Sequence, residues 1–124
     1  MTQSITILPA TSGAALCLNL TGVITAADFT DFFDAPLQDI LQAHGHYDLF
    51  VNYDPGFIRW EEQAADLSFK CISACSPKAR RCAYVNPPES RIMLMKLLNP
   101  MMNSEVRYYN ADQYDEALRW VLEG

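Results

Sequence analysis

The sequence of 124 residues predicts an α/β fold with a mainly parallel sheet, in the element order ββαβαβαβα. Short runs rich in β-branched and aromatic residues alternate with longer segments of helical periodicity, which is the pattern of repeated βα units. The first two short runs have no helix between them, so we expect an N-terminal antiparallel hairpin strand with parallel strands after it. We also expect residues 1–124 to form a single domain, because chains of this length usually do.

The strands are predicted where β-forming residues cluster between turn-forming residues. The central strand, residues 47–53, is apolar on both faces and therefore suits the inside of a sheet. The Asp54-Pro55-Gly56 segment is expected to form a turn directly after it. The remaining strands are predicted at residues 4–9, 15–20, 79–85 and 105–109.

Helical periodicity predicts four helices with recognisable capping residues at their ends. In the first helix Thr25 is the expected N-cap, and Asp28 is expected to complete a capping box. Pro36 should interrupt this helix and Gly45 should end it. The other helices are predicted from residue 59 to 75, from the N-cap Asn86 to near Pro100, and from the N-cap Asn110 to about Leu122.

Composition and charge exclude several classes of function. The net charge is −6, and residues 1–58 contain six aspartates with no Lys or Arg, whereas residues 59–124 contain nine acids and nine bases. An acidic surface repels phosphates, so no nucleic acid partner is expected. No uncharged apolar stretch reaches the roughly 18 residues of a membrane span, and the N terminus lacks the basic start of a signal peptide. We therefore expect a cytoplasmic protein, either free or peripheral at the inner face of the membrane.

The common enzyme and nucleotide-binding motifs GxGxxG, GxxxxGK(S/T) and GxSxG do not occur in the sequence. Cys71 and Cys75 share a helix face, so they could bind zinc together with Cys82. Either His44 or His46 would then supply the fourth ligand. We favour the interpretation that these cysteines are core residues, because cysteine is usually buried and no CxxC pair is present. We expect no metal, no cofactor, no catalytic residue and no enzymatic activity.

An apolar surplus on the second and third predicted helices exceeds what ordinary packing needs. On a helical wheel, apolar residues of the third helix span roughly 200°, whereas a helix on one sheet needs a stripe of about 100°. Surplus apolar surface indicates a ligand groove, a partner or a membrane surface, although packing between the two helices or a homodimer contact would also use it. The predicted ligand-binding residues are Phe57, Trp60, Phe69, Leu94, Leu98, Met101 and Met102.

Several segments together resemble those of a known family. They are DLSFK at residues 66–70, EVRYY at 105–109, DEALRWV at 115–121, and the Thr21-Gly22 and Asp28-Phe29 pairs around the start of the first helix. In order and spacing they are similar to the SpoIIAA-like proteins, small bacterial relatives of the STAS domain, over nearly the whole chain. The resemblance implies a SpoIIAA-like (STAS-like) βα superhelix with helices packed on the sheet. It also implies binding of an apolar ligand or a membrane surface by mobile helices.

One segment departs from the signalling members of the wider STAS group. Anti-anti-sigma factors carry a phosphorylatable serine after an aspartate just past the third strand, whereas this sequence has Asp54-Pro55-Gly56-Phe57 there, with no hydroxyl. We predict a non-enzymatic module that binds a hydrophobic small molecule or lipid, with reversible membrane contact as an extension. The alternative is a STAS-type protein-interaction domain in bacterial regulation, without the phosphorylatable serine, that docks a protein partner or a second copy of itself.

Overall fold

A five-stranded sheet forms the centre of the structure. The structure is a computed structural model. It describes residues 3–98 and 105–123, apart from the side chains at positions 90, 94, 95, 97 and 98. The strands lie side by side in chain order: β1 (Ile5–Ile7), β2 (Ala15–Ile24), β3 (Tyr47–Trp60), β4 (Ala79–Val85) and β5 (Glu105–Tyr109). β1 is antiparallel to β2, and β2 to β5 are parallel. The predicted mainly parallel sheet with an antiparallel N-terminal strand is confirmed.

Helices follow the strands in the predicted order. α1 (Ala26–Phe29) and α2 (Ala35–His44) are joined by a π-helical turn, Thr30–Asp34, so the first predicted helix is interrupted just ahead of Pro36. Proline has no amide hydrogen to continue an α-helix, which accounts for the interruption. The other helices are α3 (Glu62–Cys75), α4 (Glu89–Leu98) and α5 (Tyr114–Glu123). In the described part of the chain, no helix is long and apolar enough to cross a bilayer.

Side-chain and backbone hydrogen bonds define the two ends of the α1–α2 segment. Thr25 Oγ1 accepts from the Asp28 amide at 3.1 Å, as expected of the N-cap. The Asp28 carboxylate instead accepts from the amide and the hydroxyl of Ser4, at 2.9 and 2.7 Å, and so ties α1 to the residue before β1. Gly45 ends α2 in the left-handed conformation, with φ 76°, and its amide donates to the Leu41 carbonyl oxygen at 2.8 Å.

The sheet is covered on both faces, because side chains alternate along each strand. In β2, Leu16 belongs to the core beneath α1, α2 and α3, whereas the next residue, Cys17, belongs to the core beneath α5. Ala117 and Val121 of α5 complete the second core. The cleft described below lies on the side of α3 and α4.

The Asp54-Pro55-Gly56 segment is not a turn, and this prediction is wrong. β3 continues through it to Trp60 as a bulge: opposite the step from Leu20 to Gly22 in β2, β3 advances from Tyr53 to Phe57. A bulge uses the same residue types as a turn, so the residue types alone do not distinguish the two structures. The second predicted helix consequently begins at Glu62 rather than at residue 59.

The bulge is held by one carboxylate. Asp54 Oδ2 accepts from the Gly56 amide at 2.8 Å and from Thr21 Oγ1 at 3.2 Å. A Cβ atom at Gly56 would lie 2.9 Å from Thr21 Oγ1, so the close approach of the two strands requires glycine here. This local geometry carries the end of β3 outward and places residues 57–60 on a strand.

The start of α4 also differs from the prediction. Asn86 has φ 54° and is not the N-cap; its side-chain amide donates to the Tyr53 carbonyl oxygen at 3.5 Å. The carbonyl oxygen of Pro88 accepts from the Arg91 and Ile92 amides, at 3.0 and 3.2 Å, so the helix begins after Pro88. Asparagine adopts the left-handed conformation more readily than most residues, and it turns the chain from β4 towards the end of β3.

Candidate ligand-binding cleft

A cleft of about 370 Å³ lies where the end of β3 faces the start of α4. Its volume is within the range of about 300–1,000 Å³ typical of small-molecule sites. The carboxyl ends of parallel strands are also where open α/β sheets usually bind ligands. The residues that line it are Phe57, Ile58, Arg59 and Trp60 from β3, Ala65 from α3, Pro88, and Arg91 from α4.

The structure places the seven sequence-predicted site residues in different situations. Phe57 and Trp60 meet in the wall of the cleft, although they come from a strand rather than from a turn and a helix. Phe69 is 44% exposed on α3 and is not a wall residue. The side chains of Leu94 and Leu98 on α4, and all of Met101 and Met102, lie outside the described part of the chain.

The apolar wall is held in place by aromatic contacts with the core. The Phe57 ring meets the ring of buried Tyr53 edge to face, with 4.9 Å between centroids and 89° between planes. The Trp60 ring lies 6.2 Å from that of Phe29, which is itself buried. Such pairs add to the free energy gained by burying the rings. The wall therefore has a defined shape before any ligand enters.

Arg91 is the most unusual residue of the cleft, because its side chain is buried with only 6% of the residue exposed. Its guanidinium carbon lies 4.4 Å from the centre of the Trp60 ring, and Nη2 donates to Ser68 Oγ. Among the described residues no acid forms an ion pair with it; the ion pairs found there are Arg80–Asp48 and Arg107–Glu105. A buried charge without an opposite charge is costly to a protein.

Two buried donors in this region have no acceptor in the described part of the chain: Trp60 Nε1 and Arg91 Nε. Both belong to cleft-lining residues. Burial raises the pKa of the Tyr53 hydroxyl, while the charge of Arg91 and the approach of the Trp60 and Arg91 donors to that hydroxyl oppose the rise. The buried Tyr53 hydroxyl is therefore the described protein group nearest to serving these donors, without completing a hydrogen bond of good geometry. An unsatisfied buried donor costs about 1–3 kcal/mol, so two in one place call for a specific explanation.

The sequence contains one signal that distinguishes Arg91 from the other arginines. Arg91 is a basic residue in the first turn of a helix, where the partial positive charge of the helix terminus disfavours a cation. It also precedes the apolar run IMLM. A residue placed against both preferences is a candidate for function.

The cysteines are buried thiols, as the core interpretation expects. Cys71 Sγ lies 3.6 Å from Asp34 Oδ1, and burial, together with Cys75 and the Asp34 charge, raises the pKa of the Cys71 thiol. Within the described residues no group of three or more His, Cys, Asp or Glu side chains is arranged to hold a metal ion. The alternative zinc site, made of Cys71, Cys75, Cys82 and a histidine, is therefore not formed among the described residues.

Comparison with known proteins gives one clear result. A family model described as SpoIIAA-like matches residues 15–122, which include every cleft-lining residue, while a search of curated proteins finds no match. SpoIIAA-like domains are STAS-type modules, generally non-enzymatic and regulatory, and STAS-like domains commonly bind protein partners. By the extent of this match, the chain belongs to the SpoIIAA-like family.

Proposed function

We propose that this protein is a non-enzymatic module that binds a hydrophobic small molecule or lipid in the cleft between β3 and α4. The observation that carries the proposal is a cleft with mainly apolar walls and two buried donors that make no hydrogen bond among the described residues. Concave, mostly apolar sites with a few convergent polar groups are typical of ligand pockets. A cytoplasmic location, with some of the protein at the inner face of the membrane, is part of the proposal.

A homologous series of straight-chain alcohols tests this function. Burial of one methylene contributes about 0.8 kcal/mol, so affinity should rise about fourfold per added carbon until the cleft is full. Binding can be followed by the fluorescence of Trp60 in a Trp120→Phe background, because the sequence has two tryptophans. Absence of binding by every straight-chain alcohol and carboxylate of up to ten carbons would overturn the proposal.

A pair of variants on α3 locates the binding. Ala65 lines the cleft, whereas Ala74 is exposed on the same helix. Ala65→Phe should fill part of the space and lower decanol affinity at least tenfold, while Ala74→Phe should leave it unchanged. Equal effects of the two substitutions would place the binding elsewhere.

Reversible contact with a membrane is the extension of this proposal. Ile58, which lines the cleft, is 69% exposed, and Met93 on α4 is 63% exposed. The net charge of −6 disfavours anionic surfaces, so binding should be seen with phosphatidylcholine vesicles and weaken as anionic lipid is added. Ile58→Asp should reduce co-sedimentation, and Ile7→Asp, at a 40% exposed site on β1, is the matched control.

Protein interaction is the second candidate function, and the outward position of Phe69 favours it. An aromatic side chain that is 44% exposed on α3, apart from the cleft wall, suits a protein partner or a second copy of the chain. Phe69→Glu should then reduce partner capture at least tenfold and leave decanol binding intact. Ala65→Phe should do the reverse, so the two functions are separable.

A further inference from the structure

We infer that the ligand of this cleft is an anionic amphiphile, a carboxylate with an aliphatic tail, whose head group is held by Arg91. The inference rests on the proposed function, since it names the class of compound that the same cleft takes. Its basis is the charge, burial and hydrogen bonding of the cleft residues.

The charge of the cleft is opposite to that of the protein. Of the described residues in its wall, two are arginines, Arg59 and Arg91, and none is acidic, in a chain whose net charge is −6. Arg59 is exposed, so water screens its charge, whereas Arg91 is 6% exposed. The field inside the cleft therefore comes mainly from Arg91 and favours an anion.

Among the described residues, no carboxylate forms an ion pair with Arg91 to balance this charge. Residues 99–104, which follow α4, contain no acidic side chain in the sequence. Arg91 also sits in the first turn of α4, where the helix terminus adds partial positive charge. A bound anion would interact favourably with both the guanidinium and the start of the helix.

The hydrogen bonding favours a carboxylate in particular. Nη2 of Arg91 donates to Ser68, while Arg91 Nε and Trp60 Nε1 make no hydrogen bond of good geometry with any described residue. A carboxylate offers two acceptor oxygens and matches the planar guanidinium. An alcohol or a hydrocarbon would leave the buried charge unbalanced.

The apolar wall sets the nature and size of the tail. Phe57, Ile58 and Trp60 present hydrocarbon surface along the end of β3. At about 30 Å³ per water-sized group, 370 Å³ holds on the order of a dozen non-hydrogen atoms. Decanoate has this size, and a longer tail would extend from the open side of the cleft past the exposed Ile58.

The decisive experiment compares decanoate with 1-decanol on the Trp120→Phe protein at neutral pH, by fluorescence and calorimetry. The two compounds share their tail and differ in the charge of the head group. Decanoate should bind about 10- to 100-fold more tightly, the range expected for a charge-assisted hydrogen bond. Equal affinities would overturn the inference and leave the proposed function standing, whereas binding of neither compound would overturn the proposed function itself.

Two arginine variants assign the head-group contact. Arg91→Met should lower decanoate affinity to about that of decanol, and Arg119→Met, at an exposed site on α5 away from the cleft, should change neither affinity by more than about threefold. Persistence of the preference for decanoate in Arg91→Met would overturn the role of Arg91. If Arg91→Met does not fold, the two-ligand comparison still decides the inference, because it requires no change at Arg91.

Discussion

Arginines stack on tryptophans on both faces of the sheet: Arg81 and Arg107 on Trp120, and Arg91 on Trp60. The surroundings of Arg81 and Arg91 differ. On the face covered by α5, the Arg81 guanidinium carbon lies 5.0 Å from the centre of the Trp120 ring, and Nη1 donates to the Trp120 carbonyl oxygen at 2.6 Å. The Arg81 amide donates to Asp48 Oδ1 at 3.1 Å. On the other face, Arg91 stacks on Trp60, and among the described residues it forms no ion pair and its Nε makes no hydrogen bond.

The difference between the Arg81–Trp120 and Arg91–Trp60 pairs distinguishes a part of the molecule that stabilises the fold from the candidate binding site. Arg81 is hydrogen bonded within the fold and is only half-buried, so its charge is stabilised by protein and water. Arg91 is more deeply buried and has fewer partners, yet it faces a cleft. An arginine–tryptophan pair thus stabilises the fold on one face of the sheet. By our proposal, the other arginine–tryptophan pair binds a ligand on the opposite face.

The largest expected effect comes from truncating one aromatic residue on each face. Phe50 is fully buried under α5 and packs edge to face on Tyr114, so Phe50→Ala should lower the free energy of unfolding by about 3–5 kcal/mol. Phe57→Ala should cost about 1–2 kcal/mol, because Phe57 is only half-buried. Urea unfolding measures both.

Ligand affinity should show the opposite order. Phe57→Ala should weaken decanol binding severalfold, while the folded fraction of the Phe50 variant should bind normally. If Phe50→Ala proves too unstable, Phe50→Leu serves for the same comparison. Equal losses of affinity would mean that the cleft depends on the whole sheet, and the division between scaffold and site would be lost.

Substituting the arginines should change the free energy of unfolding by a smaller amount, and the change should differ in sign between the two faces. Arg81→Met should destabilise the protein by about 1–3 kcal/mol, because a charge-assisted hydrogen bond and a cation–π contact are lost. The double substitution Ser68→Ala with Arg91→Met replaces a buried polar pair by apolar groups. It should leave stability unchanged or raise it by about 1 kcal/mol.

These two stabilities can be compared by urea unfolding at one pH without ligand. A loss of several kcal/mol in the Ser68/Arg91 double variant would show that Arg91 is a structural residue, like Arg81. Arg91→Met alone should be less stable than the double variant, since it leaves the buried Ser68 hydroxyl without its partner.

The smallest effect concerns pH and the second core. Burial raises the pKa of the Cys17 thiol from 9.0 to about 11, against a weaker opposing effect of the Thr11 hydroxyl. Between these pH values the unfolded chain releases a proton that the folded chain keeps, so the free energy of unfolding falls as pH rises. Cys17 should contribute less than about 1.4 kcal/mol per pH unit to this fall.

Cys17→Ala isolates that contribution from those of the buried tyrosines. The stability of the variant should decline less steeply between pH 9 and 11 than that of the wild type, while decanol affinity stays the same. Parallel curves for the two proteins would show that the thiol titrates normally and that the second core is open to water.

The strand and helix order could be predicted from the sequence because hydrophobic periodicity and caps are local signals. Gly45 and the N-cap Thr25 show this directly. The bulge at Asp54-Pro55-Gly56 could not be predicted, because turns and bulges use the same residue types. Only its pairing with Thr21 in β2 distinguishes it from a turn.

The candidate site was predicted in part. Phe57 and Trp60 were among the predicted ligand-binding residues, and they do line the cleft. Arg91 was not predicted as a site residue, because its importance depends on its surroundings. It is buried, it stacks on Trp60, and no described carboxylate forms an ion pair with it. These are tertiary properties, and a single arginine in a sequence does not reveal them.

The protonation of a bound ligand tests the central claim most directly. Decanoate labelled with ¹³C at its carboxyl carbon can be titrated in the complex by NMR, where the signal reports the ionisation of the head group. Beside Arg91 the bound carboxyl should have a pKa below that of the free acid and stay ionised to the acid limit of the experiment. A pKa raised above that of the free acid, as burial in an apolar cleft without a cation produces, would contradict the account.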